Sequence, residues 1–155
     1  MRTPRFRSPR KAQGGFSLIE VLIAILVLGV GLLGFALLQT MNVRFVQSAN
    51  YRTQATNLTY EMLDQLRMNR SMAPSYVGDY TATTAAKNCL PPVGNDIGKD
   101  AFTLDWTCRL GKALGDGATA KVARAGTQYT VSVTWGDERW NADASDTTFS
   151  AGSRL

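Results

Sequence analysis

A long apolar run near the amino terminus constrains this chain of 155 residues more than any other feature. No charged or strongly polar residue interrupts the stretch from Val21 to Leu38. As a helix, residues 18–38 would be about 31 Å long, close to the roughly 30 Å thickness of the hydrocarbon core of a bilayer. The sequence therefore predicts one membrane-spanning helix, at about residues 18–40.

The distribution of charge predicts the orientation of that helix. The chain has 17 basic and 12 acidic residues, no histidine and a formal charge of +5. The whole basic excess lies before Gly15, in Arg2, Arg5, Arg7, Arg10 and Lys11. Because basic residues beside a membrane helix mark its cytoplasmic end, everything after about residue 43 is expected across the membrane. The excess charge thus indicates topology, and no nucleic-acid partner is expected.

Glu20 is the only charged residue between Phe16 and Val43. A carboxylate in the middle of a bilayer costs about 3 kcal/mol on insertion scales, and less near the edge, so such a residue is usually paired or functional. No lysine or arginine within this stretch can pair with it. Cleavage after Gly15 would expose an α-amino group on Phe16, which could supply the missing cation.

Three other interpretations of the apolar run compete with this one. An ordinary signal peptide could be cut after Ala36, although the run is longer than the apolar region of most signal peptides. A plain membrane anchor would leave Glu20 without a role. A dinucleotide-binding fingerprint at Gly29, Gly31 and Gly34 lacks the strand that should precede it.

The residues around the leader junction resemble a known processing signal. A basic leader, Gly14-Gly15 and then Phe16-Ser17-Leu18-Ile19-Glu20-Val21-Leu22 are similar to the class III signal of type IV prepilins and type II secretion pseudopilins. The resemblance implies that residues 1–15 are a leader, which a prepilin peptidase removes between Gly15 and Phe16 before Phe16 is N-methylated. It also implies that Glu20 pairs with the amino terminus of a neighbouring subunit during assembly.

A second, narrower resemblance covers residues 54–70. The stretches Gln54-Ala55-Thr56-Asn57-Leu58 and Asp64-Gln65-Leu66-Arg67-Met68-Asn69-Arg70 are similar to PilV-type minor pilins, the type IV pilus modification proteins. This implies a non-enzymatic subunit, without catalytic residues or cofactors, that helps to initiate pilus assembly and enters the filament near its tip. The implied partners are other minor pilins, the major pilin, the prepilin peptidase, the inner-membrane assembly platform and membrane lipid.

The choice among related functions stays open at this point. Many major pilins have a proline where this chain has Leu37, a difference that favours a minor pilin or a minor pseudopilin of type II secretion. Both would sit in the inner membrane with a cytoplasmic amino terminus and a periplasmic head, and a pilin would later reach the filament at the cell surface. An exported soluble binding module, cleaved after Ala36, is the alternative from another class.

The helix is expected to continue beyond the membrane, over residues 16–70 in all, with an amphipathic part at 41–70. One face of that part is mostly apolar at helical spacing and the other face is polar. The predicted apolar face consists of Met41, Phe45, Ala49, Ala55, Thr59, Met62 and Leu66. Asp64 and Arg67 are spaced to pair at i,i+3.

Residues 71–155 are expected to form a small globular head. Alternation of apolar and polar residues at 102–110 and 129–135 predicts two half-buried antiparallel strands, with a third short strand near 147–150. Residues 71–100 are interpreted as a connecting loop, and 111–126 as either a short helix or a loop. The predicted class is α+β, and the resemblance implies a type IV pilin-like fold in which a long helix packs on a small antiparallel sheet.

Cys89 and Cys108 are the only two cysteines. Two thiols without histidine cannot complete a four-ligand zinc site, so no metal site is expected. The lack of histidine also excludes Ser-His-Asp and Cys-His catalysis. A disulfide is the default outside the cytoplasm, and closing a loop of about 20 residues could stabilise the head by roughly 3 kcal/mol.

Overall fold

The computed structural model describes residues 15–85, 89, 98–137 and 143–155. Its elements, in chain order, are α1 (Leu18–Met68), a 3-10 helix (Ala73–Tyr76), β1 (Gly78–Thr81), α2 (Lys99–Leu114), β2 (Thr119–Ala125), β3 (Gln128–Trp135) and β4 (Thr147–Arg154). The chain divides into two compact units, Met1–Val43 and Arg44–Leu155. The second unit is called the head below.

The sheet of the head has four strands in the order β1-β2-β3-β4, and every neighbouring pair is antiparallel. Gly126 lies in the tight turn between β2 and β3 with φ of 63°, a conformation that glycine adopts without steric cost. The pairing of β3 with β4 is unbroken from Gln128 opposite Arg154 to Trp135 opposite Thr147. The predicted α+β class and pilin-like arrangement are confirmed.

The core of the head lies between the inner face of the sheet and the two helices. The second half of α1 and one face of α2 supply large apolar side chains, and alternate residues of β2 and β3 supply the rest. The largest fully buried apolar side chains are Trp106, Trp135, Tyr76, Met62, Leu63, Leu66, Leu110, Leu114, Val122, Val131 and Val133. This packing is the main source of stability available to the head.

The outer face of the sheet carries short hydroxyl side chains. Thr81, Thr119, Thr134 and Thr148 are in register and form one row across all four strands. The hydroxyls of Thr134 and Thr148 lie 2.8 Å apart, and Ser150 Oγ donates to Ser132 Oγ at 2.8 Å. This face therefore presents polar groups that are partly satisfied by one another.

The strand predicted at 102–110 is wrong, because these residues belong to α2. Phe102, Trp106 and Leu110 repeat every four residues, a step that fits one helix face and is also a multiple of the strand period. Leu104, which the strand pattern placed on the inner face, is 44% exposed. The repeat of apolar residues every four positions on a helix was thus mistaken for the buried side of a strand.

Two further strands lie where loops were expected. β1 and the 3-10 helix fall within the predicted loop 71–100, and β2 falls within the ambiguous segment 111–126. The predicted strand at 129–135 is confirmed as β3, and the predicted short strand near 147–150 is confirmed as the first half of β4. Helix α1 ends at Met68, two residues before the expected boundary at 70.

Candidate processing and assembly segment

The predicted cleavage junction lies just before α1. Gly15, Phe16 and Ser17 precede the first helical residue, Leu18, and have no regular secondary structure. Phe16 is 84% exposed, and no atom lies within 4 Å of the position that a Cβ of Gly15 would occupy. Gly14 and the basic residues of the leader lie outside the described residues. The bond between Gly15 and Phe16 is therefore placed in an accessible, non-helical segment.

Glu20 lies in the first turn of α1. The carbonyl of Ser17 accepts backbone hydrogen bonds from Glu20 N at 3.1 Å and Val21 N at 3.2 Å, so Ser17 occupies the N-cap position and Glu20 the third helical position. Serine followed by glutamate at this spacing matches the capping-box pattern, and an acid here also suits the positive end of the helix dipole. Sequence reasoning missed this capping-box pattern at the start of α1.

The Glu20 side chain has no described partner. It is exposed, and among residues 15–85, 89, 98–137 and 143–155 no lysine or arginine pairs with it. The pairing of Glu20 with the amino terminus of a neighbouring subunit stays a prediction.

The first part of α1 is apolar on every side and exposed. It meets the length and hydropathy required to cross a membrane, and none of its most apolar window is buried within the chain. Apart from neighbouring residues and the backbone of the helix itself, a Cβ at Gly29, Gly31 or Gly34 would have no atom within 4 Å. Apolar surface of this extent requires a cover of lipid or protein, and the glycines leave room for close approach of another helix.

The second part of α1 packs into the head through one face. Its buried residues are Ala55, Leu58, Thr59, Met62, Leu63, Gln65 and Leu66. The predicted apolar stripe is therefore buried from Ala55 onward, but its first members Met41, Phe45 and Ala49 are exposed. The predicted pair of Asp64 and Arg67 is confirmed, with 2.7 Å between Oδ1 and Nη1.

Polar contacts connect α1 with α2. Trp106 Nε1 donates to the carbonyl of Leu58 at 3.1 Å, deep in the core. Both terminal nitrogens of Arg109 donate to the Glu61 carboxylate, with 2.6 Å between Nη1 and Oε2. Arg109 Nε donates to Asp105 Oδ2 at 2.8 Å. Hydrogen bonding to Glu61, opposed by partial desolvation, raises the pKa of the Arg109 guanidinium above its ordinary value.

A buried acid links the carboxyl end of β3 to α1. Asp137 is only 5% exposed, and its Oδ2 accepts from Ser48 Oγ at 2.8 Å and from Arg52 Nη2 at 3.3 Å. A buried carboxylate requires such partners. Sequence reasoning missed this contact, since Asp137 is 89 residues from Ser48 and 85 from Arg52, and no local motif joins them.

A disulfide joins Cys89 to Cys108, with 5.3 Å between their Cα atoms. It fastens the segment that follows β1 onto α2. The same segment also touches α2 directly before Cys108, where Thr83 N donates to the carbonyl of Thr107 at 3.2 Å. A Cβ at Gly111 would lie 2.6 Å from the carbonyl oxygen of Thr83. Glycine at position 111 is therefore required for this close approach.

Within the described residues, no group of three or more histidine, cysteine, aspartate or glutamate side chains could hold a metal ion. The site residues predicted from the sequence fall into two groups. Gly15, Phe16 and Glu20 lie together at the start of α1, while Cys89 and Cys108 lie in the head.

Comparison with known proteins gives one match. The family model described as the prokaryotic N-terminal methylation motif matches residues 10–36. The predicted prepilin-like signal is thereby confirmed over this segment, and the narrower PilV-type resemblance stays a prediction. No curated protein and no solved structure matches the chain.

Proposed function

We propose that the chain is a minor pilin, a non-enzymatic subunit of a type IV pilus that helps to initiate assembly and enters the filament near its tip. The observation that carries the proposal is the N-terminal methylation motif at residues 10–36, which coincides with the start of an exposed, membrane-length helix that has an acid, Glu20, in its first turn. The α+β head agrees with this assignment.

Processing would change the charge at the start of α1. Hydrolysis of the bond between Gly15 and Phe16 removes the basic leader and leaves an amine on Phe16. Methylation of that amine keeps it protonatable, so it remains a suitable partner for a carboxylate. We propose that Glu20 of one subunit pairs with the amino terminus of its neighbour, because an ion pair offsets the cost of holding either charge in an apolar filament interior.

The proposed topology follows from the leader and the disulfide. The basic leader favours a cytoplasmic amino terminus, and the disulfide between Cys89 and Cys108 suits an oxidising compartment such as the periplasm. The subunit would wait in the inner membrane with its apolar helix in lipid, and would then exchange lipid for neighbouring helices as the filament grows. Contacts that repeat without closing into a ring generate such a fibre.

The mature amino terminus provides the first test. Mass spectrometry of the native protein is expected to show a polypeptide that begins with N-methyl-Phe16. A chain that begins at Leu37 would indicate an ordinary signal peptide cut after Ala36, and would contradict the proposal. Replacing Gly15 with a bulky residue should leave an uncut, unmethylated precursor in the membrane.

A comparison of two variants of Glu20 separates its assembly role from its capping role. Glutamine at this position can still accept the reciprocal bond of a capping box, but it carries no charge. We expect both Glu20→Gln and Glu20→Ala to be cleaved after Gly15 and to be lost from complexes with partner pilins. Normal incorporation of Glu20→Gln would show that the residue serves the helix terminus and not the proposed ion pair.

The type of filament is tested by fractionation. Recovery of the protein in fibres sheared from the cell surface is expected for a minor pilin. Absence from those fibres, together with loss of exoprotein secretion when the gene is deleted, would instead assign the chain to the minor pseudopilins of type II secretion. Leu37, in place of the proline of many major pilins, is compatible with both minor subunits.

A further inference from the structure

The two edges of the sheet are free within the described part of the chain. β4 is eight residues long and β1 is four residues long, and the described strands pair only as β1 with β2, β2 with β3 and β3 with β4. Proteins usually blunt a long edge with proline, lysine or a bulge. β4 has none of these, because its pairing with β3 is regular throughout and its only charged residue is Arg154.

The backbone groups that point outward can be assigned from the ladder. Leu155 N donates to the carbonyl of Thr127, so the odd-numbered residues of β4 bond to β3 and the even-numbered ones face away from the sheet. On the other edge, Ala82 N donates to the carbonyl of Ala118, which leaves Asp79 and Thr81 facing outward. On both edges, the outward-bonding residues have their side chains on the exposed face of the sheet.

Since the sheet has an even number of strands and all are antiparallel, its two edge strands run in opposite directions. Two heads that point the same way would therefore bring β4 of one beside β1 of the other in the antiparallel arrangement. The proposal takes two heads in one membrane or one filament to point the same way, a condition that rests on the proposed function.

We propose that the β4 edge of this chain pairs with the β1 edge of a second copy, which joins the two sheets side by side. In the matching register, Arg154 lies opposite Asp79 of the second copy, and Gly152 lies opposite Thr81. Two such hydrogen-bonded pairs exchange about four backbone hydrogen bonds. The contact is heterologous, so it leaves one free edge on each outer copy and can repeat.

Charge complementarity supports this register over its neighbours. Asp79 is well exposed, and its only described ion pair is a long one, with 3.5 Å from Oδ1 to Lys121 Nζ. Opposite charges directly across a strand pair are favourable, whereas like charges are not. The alternative contact, β4 with β4 about a twofold axis, would require the two heads to point in opposite directions.

Cysteine crosslinking in membranes tests the contact with the full-length chain. Two differently tagged copies are coexpressed, one with Asp79→Cys and one with Arg154→Cys, and both retain Cys89 and Cys108. Cα atoms of an antiparallel hydrogen-bonded pair are about 5.5 Å apart, within the range for a disulfide. The expected result is an oxidant-dependent band that carries both tags. Lys121→Cys replaces Asp79→Cys in the matched control, and the band should be lost because Lys121 is one strand further away.

Charge reversal provides a second measurement without new cysteines. Arg154→Asp in one tagged copy is expected to reduce its copurification with the other, and Asp79→Arg in that other copy should restore it. Arg70→Asp, a change of the same size at another exposed arginine, should leave copurification unchanged. Unaltered tryptophan fluorescence would show that each variant head is folded.

The outcomes separate the edge contact from the proposed function. A crosslink between Thr148→Cys in one copy and Arg154→Cys in the other, in place of the crosslink to Asp79→Cys, would indicate the twofold arrangement and overturn the proposal, because these two residues lie opposite each other when the outward-bonding residues of two β4 strands overlap fully. Absence of the mixed crosslink, in a chain that begins at N-methyl-Phe16, would overturn the edge contact and leave the pilin assignment intact. A mature chain that begins elsewhere would overturn the pilin assignment, while the mixed crosslink would still decide the edge contact.

Discussion

Gly111 offers a test in which the sign of the effect depends on the tertiary structure. Alanine normally stabilises a helix by about 1 kcal/mol relative to glycine, and Gly111 lies within α2. Here a Cβ would lie 2.6 Å from the carbonyl oxygen and 2.8 Å from the carbonyl carbon of Thr83. Since both contacts are to backbone atoms, no side-chain rotation relieves them. We therefore expect Gly111→Ala to destabilise the head.

The size of the effect follows from how firmly the opposing segment is held. Thr83 N donates to Thr107, Thr84 Oγ1 donates to Asp116 at 2.6 Å, and the disulfide anchors Cys89 to α2. Overpacking typically costs about 1–3 kcal/mol, and a segment tied at several points should be near the upper end. After the helix-propensity gain of about 1 kcal/mol, the net loss is about 2 kcal/mol, or roughly 8 °C in Tm.

The measurement is thermal unfolding of the full chain in detergent, followed by tryptophan fluorescence. Trp106 and Trp135 are buried in the core of the head, so their emission reports on the head and not on the membrane helix. Gly117→Ala is the control, because no atom lies within 4 Å of its Cβ position, and its Tm should change little. An unchanged or higher Tm for Gly111→Ala would refute the argument from close approach.

Three further effects are expected. Cys89→Ser should lower the stability of the head by about 3 kcal/mol, and reduction of the native protein should reproduce that loss in denaturant titrations. Burial, reinforced by nearby Tyr76, raises the pKa of Tyr80. The stability that protonated Tyr80 gives the folded head is therefore fully present below about pH 10, and it is lost as the pH rises through the folded pKa. In Tyr80→Phe, the free energy of unfolding should therefore fall less steeply with rising pH in alkali, and an equally steep fall would contradict the raised pKa of Tyr80. Arg109→Met removes the cation that Glu61 and Asp105 share and should lower the free energy of unfolding in urea by about 1–2 kcal/mol, with less effect if Glu61→Gln is added.

Sequence analysis succeeded where one local pattern dominates. The processing signal is a linear segment, so its glycine, aromatic residue and acid could be recognised without a structure. β3 was predictable because Tyr129, Val131 and Val133 alternate cleanly with hydroxyl residues and are all buried. The long helix was predictable because apolar residues occupy every side of its first part and one side of its second.

The failures occur where a local pattern is ambiguous or too short, or where a contact depends on tertiary structure. α2 was mistaken for a strand because its apolar residues fall at even spacings, and the signal that could have corrected this was the Asp105 and Arg109 pair at i,i+4. β1 contains only four residues, too few to establish a period. The contacts of Asp137 with α1, and of Arg109 with Glu61, join residues far apart in sequence, so no local pattern predicts them.

The threonine row across the sheet has a consequence for where recognition can occur on the head. Tight binding surfaces depend on aromatic or arginine side chains that fill pockets on a partner. The threonine row itself provides no such anchor. The long side chains on the same face, Lys121 and Arg154, are exposed beside it, so selective contacts on this face are expected at those side chains.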